Sequence, residues 1–341
     1  MLEFGSDFHC VDGFSAEGVR HSWGTPLLLL ADGRQDITIL LEEKQWKRIW
    51  VPGYFCYDVV DCIRATGTEV AFYEDYPCGD DEAALQTIKF EDGDLLLRMN
   101  YYGLRGWRDS ASLPVPVIED HSHAPLSEWA RKSNADWCVA SLRKTLPVAE
   151  GGALWSPKGH PLPTTPELTR ENQSLASLRW EAMREKTDYL RGKIIEKSSF
   201  RNKFLATEDS FESLAPSRID DESLHVLDCF DFQSWFRRKQ ENWQVLSTIK
   251  SDHFKTLVSE PGGEHFSFTI LCDTALTRDK LRARLIERCV YPAVLWPLPD
   301  ECPPAARDMS SRMLSIHCDA RYSLSDMERL KNIIEEAASN V

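Results

Sequence analysis

Short, unbroken apolar runs recur between residues 48 and 155, at steps of roughly twenty to twenty-five residues. They lie at 49–51, 70–73, 95–97, 115–118 and 138–140. This spacing is typical of strand-helix-strand units, and runs without polar alternation are expected where a strand is buried under helices on both faces. The pattern therefore predicts an α/β fold built on a mostly parallel sheet.

A proline-rich segment marks the end of the predicted sheet region. Residues 157–166 contain four prolines, which neither a helix interior nor a central strand accommodates. We therefore predict a large α/β domain at 1–165, a helical connector at 166–225 and a small C-terminal α+β domain at 226–341. In the last of these the patterns predict strands at 266–271 and 313–317 and helices at 277–288 and 325–338.

Composition and charge exclude several classes of function. A net charge of −14 over 341 residues argues against nucleic-acid binding, although a local group of donors can still bind a small anion. The longest aliphatic run, Leu27–Leu30, is too short to span a bilayer. The first residues lack the pattern of a secretory signal, so we expect a cytoplasmic location. The ten cysteines contain no Cys-x-x-Cys pair, and we expect no metal site, at His121 and His123 or elsewhere.

Chemically useful side chains follow two of the predicted strands. Asp120 and His123 come after the run at 115–118, and Lys144 comes after the run at 138–140. Ligands of open α/β sheets bind beyond the carboxyl ends of strands, so these side chains are expected to share a pocket. Pyridoxal 5′-phosphate (PLP) needs a carboxylate at its ring nitrogen and a lysine that holds its aldehyde as an imine. Asp120 and Lys144 are residues of those types, but residues of these types near strand ends are common, and each taken alone more often has a structural role.

The same segments resemble the DegT/StrS family of PLP-dependent sugar aminotransferases. The resemblance rests on Val-Ile-Glu-Asp-x-x-His at 117–123 and on Ser-Leu-Arg-Lys at 141–144 followed by Gly151 and Gly152, and it extends less specifically along most of the chain. It implies a fold type I PLP-dependent transferase with a small C-terminal domain. It also implies a homodimer that moves an amino group from an amino acid such as glutamate to a keto-sugar, possibly nucleotide-linked.

The resemblance assigns roles to individual residues. Lys144 would form the imine, Asp120 would bind the ring nitrogen and His123 would approach the ring hydroxyl. The residues expected to contact the cofactor are Asp120, His123, Ser141, Gly33, Arg34, Tyr54 and Phe55. The residues expected to contact the substrate are Tyr101, Tyr102, Arg143 and Trp296. The two tyrosines are equally consistent with closing the end of a strand.

Three positions depart from the family pattern. Gly33-Arg34 replaces the usual Gly-Thr or Gly-Ser, Cys56 stands where a ring-stacking aromatic is usual, and Ser141 precedes Lys144 by only three residues. Two alternatives to a sugar aminotransferase therefore remain open. The protein could be a PLP enzyme with another reaction or a non-sugar substrate, or an inactive homologue that binds a ligand without turnover.

Overall fold

The central element of the fold is a seven-stranded sheet. The computed structural model describes residues 3–11, 18–23, 26–193, 196–210, 214–339 and 341. Within them the strands are Leu27–Leu30 (β1), Arg48–Pro52 (β2), Glu69–Tyr73 (β3), Asp94–Met99 (β4), Val117–Asp120 (β5), Trp137–Ser141 (β6) and Gly152–Trp155 (β7). Their order is β1-β7-β6-β5-β4-β2-β3, and only β7 runs against its neighbours. The predicted α/β fold with a mostly parallel sheet is confirmed.

The apolar runs of the sequence coincide with strands, and four strands of the sheet are buried along their whole length. Every residue of β4, β5, β6 and β7 is buried. The run predicted at 115–118 extends instead over Val117–Asp120, so that Asp120 is the last residue of its strand. It pairs with Met99 of β4 and Val139 of β6, which places it near the middle of the sheet's carboxyl edge.

Helices surround the sheet and build most of the C-terminal half. They span Gly33–Lys44 (α1), Tyr57–Ala65 (α2), Asp81–Leu85 (α3), Glu128–Lys132 (α4), Arg170–Leu190 (α5), Lys197–Ser210 (α6), Asp221–Cys229 (α7), Phe232–Ser247 (α8), Ala275–Glu287 (α9), Pro304–Arg312 (α10) and Leu324–Ala338 (α11), with 3-10 turns at Val19–Ser22, Tyr101–Gly103 and Leu142–Lys144. None of the helices in the described ranges is long and apolar enough to cross a membrane.

A second, antiparallel sheet forms the small C-terminal part. Its strands Phe254–Thr256 (β8), Phe268–Cys272 (β9) and Met313–Ile316 (β10) are ordered β10-β9-β8, and α11 begins at a capping box formed by Ser323 and Asp326. The start of the chain joins this region, because Phe4–Gly5 pairs with Val290–Tyr291. The small α+β unit is thus confirmed, while the domain boundaries at 165 and 225 stay predictions.

Candidate active site

A cavity of about 260 Å³ lies at the carboxyl ends of β5 and β6. Four parts of the chain meet there: the last residues of both strands, the 3-10 turn Leu142–Lys144, the start of α1 and the segment around Trp296. Its lining includes eight of the residues singled out in the sequence: Gly33, Arg34, Phe55, Asp120, Ser141, Arg143, Lys144 and Trp296. Cys56 lines it too. Asp120 and Lys144 thus line the same cavity at the carboxyl ends of two adjacent strands.

Asp120 is held in one orientation at the end of β5. Its side chain is buried, and Oδ1 accepts a hydrogen bond from the backbone N–H of Ser122 at 2.8 Å. The hydroxyl of Ser122 in turn accepts the backbone N–H of Ser141 at 2.8 Å. These two hydrogen bonds join the ends of β5 and β6, so the carboxylate and the lysine turn keep a fixed spacing.

Lys144 lies against an aromatic stack contributed by distant parts of the chain. Its Nζ is 5.4 Å from the ring centroid of Trp296, within the range of a cation-π contact. The Trp296 ring stacks on His123, with centroids 5.5 Å apart and planes at 20°. Trp296 therefore contacts both the lysine and the histidine that follow the two strands.

His123 carries a buried donor that no described group uses. Its Nδ1 accepts the backbone N–H of Tyr102 at 3.0 Å, so in the neutral ring the proton resides on Nε2. Burial, and then the positive charge of Lys144, hold the pKa of His123 well below its usual value, which keeps the ring neutral. Among the described residues Nε2 has no hydrogen-bond partner. An acceptor atom on a ligand would satisfy it.

The N-terminus of α1 is capped by a carboxylate. Asp32 accepts the backbone N–H groups of Arg34 at 2.7 Å and of Gln35 at 3.2 Å, so two of the donors expected at a cofactor phosphate are already used. Burial raises the pKa of Asp32, and the charge of Arg34 partly opposes that effect. Gly33 packs on β6: a Cβ added to it would lie 3.0 Å from the Cβ of Ser141, so a larger residue would push the helix away.

Three arginines surround one carboxylate beside the cavity. Glu208 accepts a hydrogen bond from Arg143 at 2.8 Å and lies 3.5 Å from Arg179 and 3.9 Å from Arg34. Burial alone would raise the pKa of Glu208, but these charges, led by Arg143, lower it to about 2. Arg34 also approaches Asp58 at 3.6 Å, and its Nη1 has no hydrogen-bond partner among the described residues.

Three tyrosines expected at the cofactor or substrate lie outside the cavity lining. Tyr54, Tyr101 and Tyr102 are fully buried. The hydroxyl of Tyr102 donates to the carbonyl of Leu295 at 2.6 Å, Tyr54 donates to the same oxygen, and Tyr101 donates to the carbonyl of Tyr54 at 2.7 Å. The hydrogen bonds of Tyr54 and Tyr102 hold Leu295, the residue before Trp296, in position. The sequence did not indicate this structural role for the tyrosines.

The two histidines of the strand-end motif point to different neighbours. His121 lies 3.1 Å from the carboxylate of Glu119, and with Cys138 these residues offer ligand atoms within 4.8 Å of one another. Glu119 also accepts a hydrogen bond from Ser110 at 2.5 Å, and burial of the Cys138 thiol raises its pKa well above the usual value, so the thiol is protonated. The group is thus a hydrogen-bonded cluster, and the absence of a metal stays a prediction.

Comparison with known proteins adds information about the fold. No model of a protein family matches the sequence, and no curated protein is similar to it. Solved structures match over most of the chain. Spr1654 from Streptococcus pneumoniae, a candidate sugar aminotransferase in its PLP form, has a TM-score of 0.70 and 12% identity and covers 99% of this chain and 99% of its own.

Two further structures carry the same fold. A DegT DnrJ EryC1 StrS aminotransferase from Brucella abortus has a TM-score of 0.59 and 13% identity, with 92% of this chain and 86% of that chain covered. DesI, in the presence of its TDP-sugar product, has a TM-score of 0.60 and 14% identity, with 92% and 80% covered. The chain thus has the fold of the fold type I aminotransferases, and its matches are sugar aminotransferases of the DegT/StrS type.

Proposed function

We propose that the protein is a PLP-dependent aminotransferase in which Lys144 binds the cofactor covalently. The observation that carries this proposal is the arrangement of three groups next to Trp296 and the lysine turn. Asp120 and Lys144 line the cavity and offer a fixed carboxylate and an amine. His123 lies outside that lining, stacks on Trp296 and offers an N–H donor that has no partner among the described residues. A pyridine nitrogen, an aldehyde and a ring hydroxyl are the partners that such a set suits.

The residues present fit the cofactor. Asp120 would hold the ring nitrogen, and His123 Nε2–H would donate to the ring oxygen. Ser141, Arg34 and Arg143 would hold the phosphate, with guanidinium groups taking the place of the helix N–H groups that Asp32 occupies. When bound, PLP draws electrons from the substrate carbon that carries the amino group and so eases removal of its proton.

The side chains of the chain itself then have distinct tasks. With the cofactor bound, the carboxylate of Asp120 would keep a proton on its ring nitrogen. The Nζ of Lys144 would move the proton of the substrate carbon that carries the amino group. The ring of Trp296 lies over Lys144 and would hold that amine in place through a cation-π contact.

The substrates, the assembly and the location belong to the same proposal. The proposed amino donor is an amino acid such as glutamate, and the proposed acceptor is a keto-sugar, possibly nucleotide-linked. The resemblance in the sequence and the fold shared with DesI, solved with its TDP-sugar product, support this choice. The homodimer is proposed from the same resemblance alone, and the cytoplasmic location stays the expectation stated from the sequence. The second candidate, an inactive ligand-binding homologue, is favoured only by the capping of α1 by Asp32.

Absorption spectroscopy tests the cofactor and the lysine together. The protein is loaded with PLP, dialysed and scanned in the near ultraviolet and visible, before and after reduction with borohydride. We expect a band that survives dialysis in the wild type and in Lys132→Ala, whose lysine is exposed, and that is lost in Lys144→Ala. Reduction should attach the cofactor at Lys144, as peptide mass analysis would report. A folded wild type without the band would refute the proposal.

A further inference from the structure

A second cavity, of about 200 Å³, adjoins the first at Arg143 and Lys144. It is enclosed by the N-terminal segment around Phe8, by α5 and α6, and by the segment around Ala293 together with β10. The unpartnered Nε2 of His123 belongs to a side chain that lines it. The lysine is therefore accessible from two sides, and only the first cavity contains Asp120.

The charges of the two cavities differ in sign. The first is lined by four carboxyl side chains, Asp32, Asp58, Asp120 and Glu208, and by three cations, Arg34, Arg143 and Lys144. In the second, Arg143, Lys144 and Arg179 line the wall together with one carboxylate, that of Asp7, while Glu208 behind the wall pairs with Arg143 and lies 3.5 Å from Arg179. Arg179 is buried, with Nη2 donating to Asp7 and Nη1 to Thr207, both at 2.9 Å. Burial, and then the charge of Arg143, lower the pKa of Arg179 to about 10, so an additional anion here would be stabilised.

The remaining wall of the second cavity is apolar. Phe8, Val148, Met183 and Phe204 are buried side chains that line it, and Phe266 joins them beside His123. The hydroxyl groups of a sugar would lose their hydrogen bonds to water against such a wall without replacement. An aliphatic or aromatic group would instead be favoured there.

We propose that the second cavity binds a small molecule that has a carboxylate group and an apolar remainder. Its carboxylate would lie at Arg143 and Arg179, and its apolar part would pack against the apolar wall that includes Phe8 and Phe204. Resting on the proposed function of Lys144, this assigns the substrate that enters from this side as an apolar amino acid or its keto acid, in place of the glutamate that the family resemblance implies. The cavity is sized for a molecule of that kind rather than for a nucleotide-sugar.

Binding of a substrate mimic that cannot react tests the assignment. Isothermal titration of the PLP-loaded protein would use 3-phenylpropionate, its neutral analogue 3-phenylpropanol and, separately, UDP-glucose. Losing a charge-assisted contact typically costs a factor of about ten to one hundred in affinity, so the acid should bind at least about tenfold more tightly than the alcohol. The same titrations with Lys144→Ala free of cofactor would separate binding from cofactor chemistry.

Three variants locate the site. Arg179→Gln should weaken binding of the acid by about ten- to one-hundredfold and leave the alcohol nearly unchanged. Arg184→Gln, on the same helix but exposed and paired with Glu222, is the matched control and should change neither. Ala293→Leu narrows the cavity without altering its charge, so it should weaken both phenyl compounds, and it tests the site if Arg179→Gln does not fold.

The outcomes distinguish this inference from the proposed function. Three results would overturn the inference. The first is equal affinity for the acid and the alcohol, and the second is an affinity for the acid that neither Arg179→Gln nor Ala293→Leu changes. The third is tighter binding of UDP-glucose than of the acid, if Ala293→Leu weakens it. With the cofactor band present, each of these results would leave the proposed function standing. Selective binding of the acid in a folded protein that takes up no PLP would support the inference while refuting the aminotransferase.

Discussion

Glu150, which follows the lysine turn and precedes Gly151, should be protonated in the folded protein at neutral pH. It is fully buried; Oε1 accepts the backbone N–H of Asp220 at 2.7 Å, and Oε2 has no hydrogen-bond partner among the described residues. Burial, and then the charge of Asp220, raise the pKa of Glu150 to about 9. Glu150→Gln keeps the acceptor and the shape of the side chain while removing the titrating proton.

The effect of Glu150 on the pH dependence of stability follows from the linkage between proton binding and folding. Between the unfolded pKa of about 4.3 and the folded pKa of about 9, the folded state binds one proton that the unfolded state has released. The free energy of unfolding must then fall as the pH rises, by about 1.4 kcal/mol per pH unit. At about pH 7, about 2.7 units above the unfolded pKa, the accumulated cost to the wild type is about 3.7 kcal/mol, which Glu150→Gln would remove.

Denaturant unfolding of the wild type and Glu150→Gln at about pH 6 and about pH 8 measures this difference directly. All other titrating groups are common to both proteins, so the gain in stability from the substitution should be about 2–3 kcal/mol larger at the higher pH. The exposed Glu167→Gln serves as the control and should show no such change. An equal gain at both pH values would show that Glu150 does not carry a proton in this range.

Three further substitutions test the packing around the cavity. Gly103→Ala should cost several kcal/mol in the free energy of unfolding, because the new Cβ would lie 1.7 Å from a backbone oxygen, whereas Gly67→Ala, also at positive φ but in open space, should cost about 1 kcal/mol. Arg105→Gln should cost about 3–5 kcal/mol in urea unfolding, because it leaves the buried carboxylate of Asp75 unpaired. Tyr102→Phe should lower the free energy of unfolding by about 1–2 kcal/mol through loss of the buried hydrogen bonds of its hydroxyl to the carbonyl of Leu295 and the hydroxyl of Tyr54.

The sequence predicts the strands that contain an apolar run. Such runs mark β2 and β3, which are only partly buried, as well as β4 to β6, which are buried along their whole length. Helix α11 is marked by its cap and its single apolar face. Strand β7 contains Gly152, which meets the backbone of Asp32 closely, and it lacks the β-branched residues that mark a strand. The polar helix α6 was treated as connector, because its burial depends on α5 and not on its own pattern.

The sequence predicts the parts of the site that lie at the ends of adjacent strands, and it does not predict contacts between segments that are far apart in the chain. Asp120 and Lys144 follow adjacent parallel strands, and adjacency in the sheet suffices to bring them together. Glu208 lies 65 positions from Arg143, its hydrogen-bonding partner, and no pattern in the sequence links α6 to the lysine turn. Tyr54 and Tyr102 were expected at the cofactor and the substrate, but their hydroxyl groups contact Leu295, which lies 241 and 193 positions away in the sequence.

The unusual Gly33-Arg34 pair becomes intelligible once Asp32 is considered with it. The carboxylate of Asp32 takes the N–H groups of Arg34 and Gln35, so the start of α1 offers less to an anion than an uncapped helix would. Arg34 places a guanidinium at the same cavity, where a threonine would offer only a hydroxyl. An anion bound there would be held by charged side chains rather than by backbone N–H groups. Its affinity would depend on how strongly Asp58 and Glu208 compete with it for Arg34. The departure from the family pattern would thus change how an anion is held, and it does not by itself argue for loss of binding.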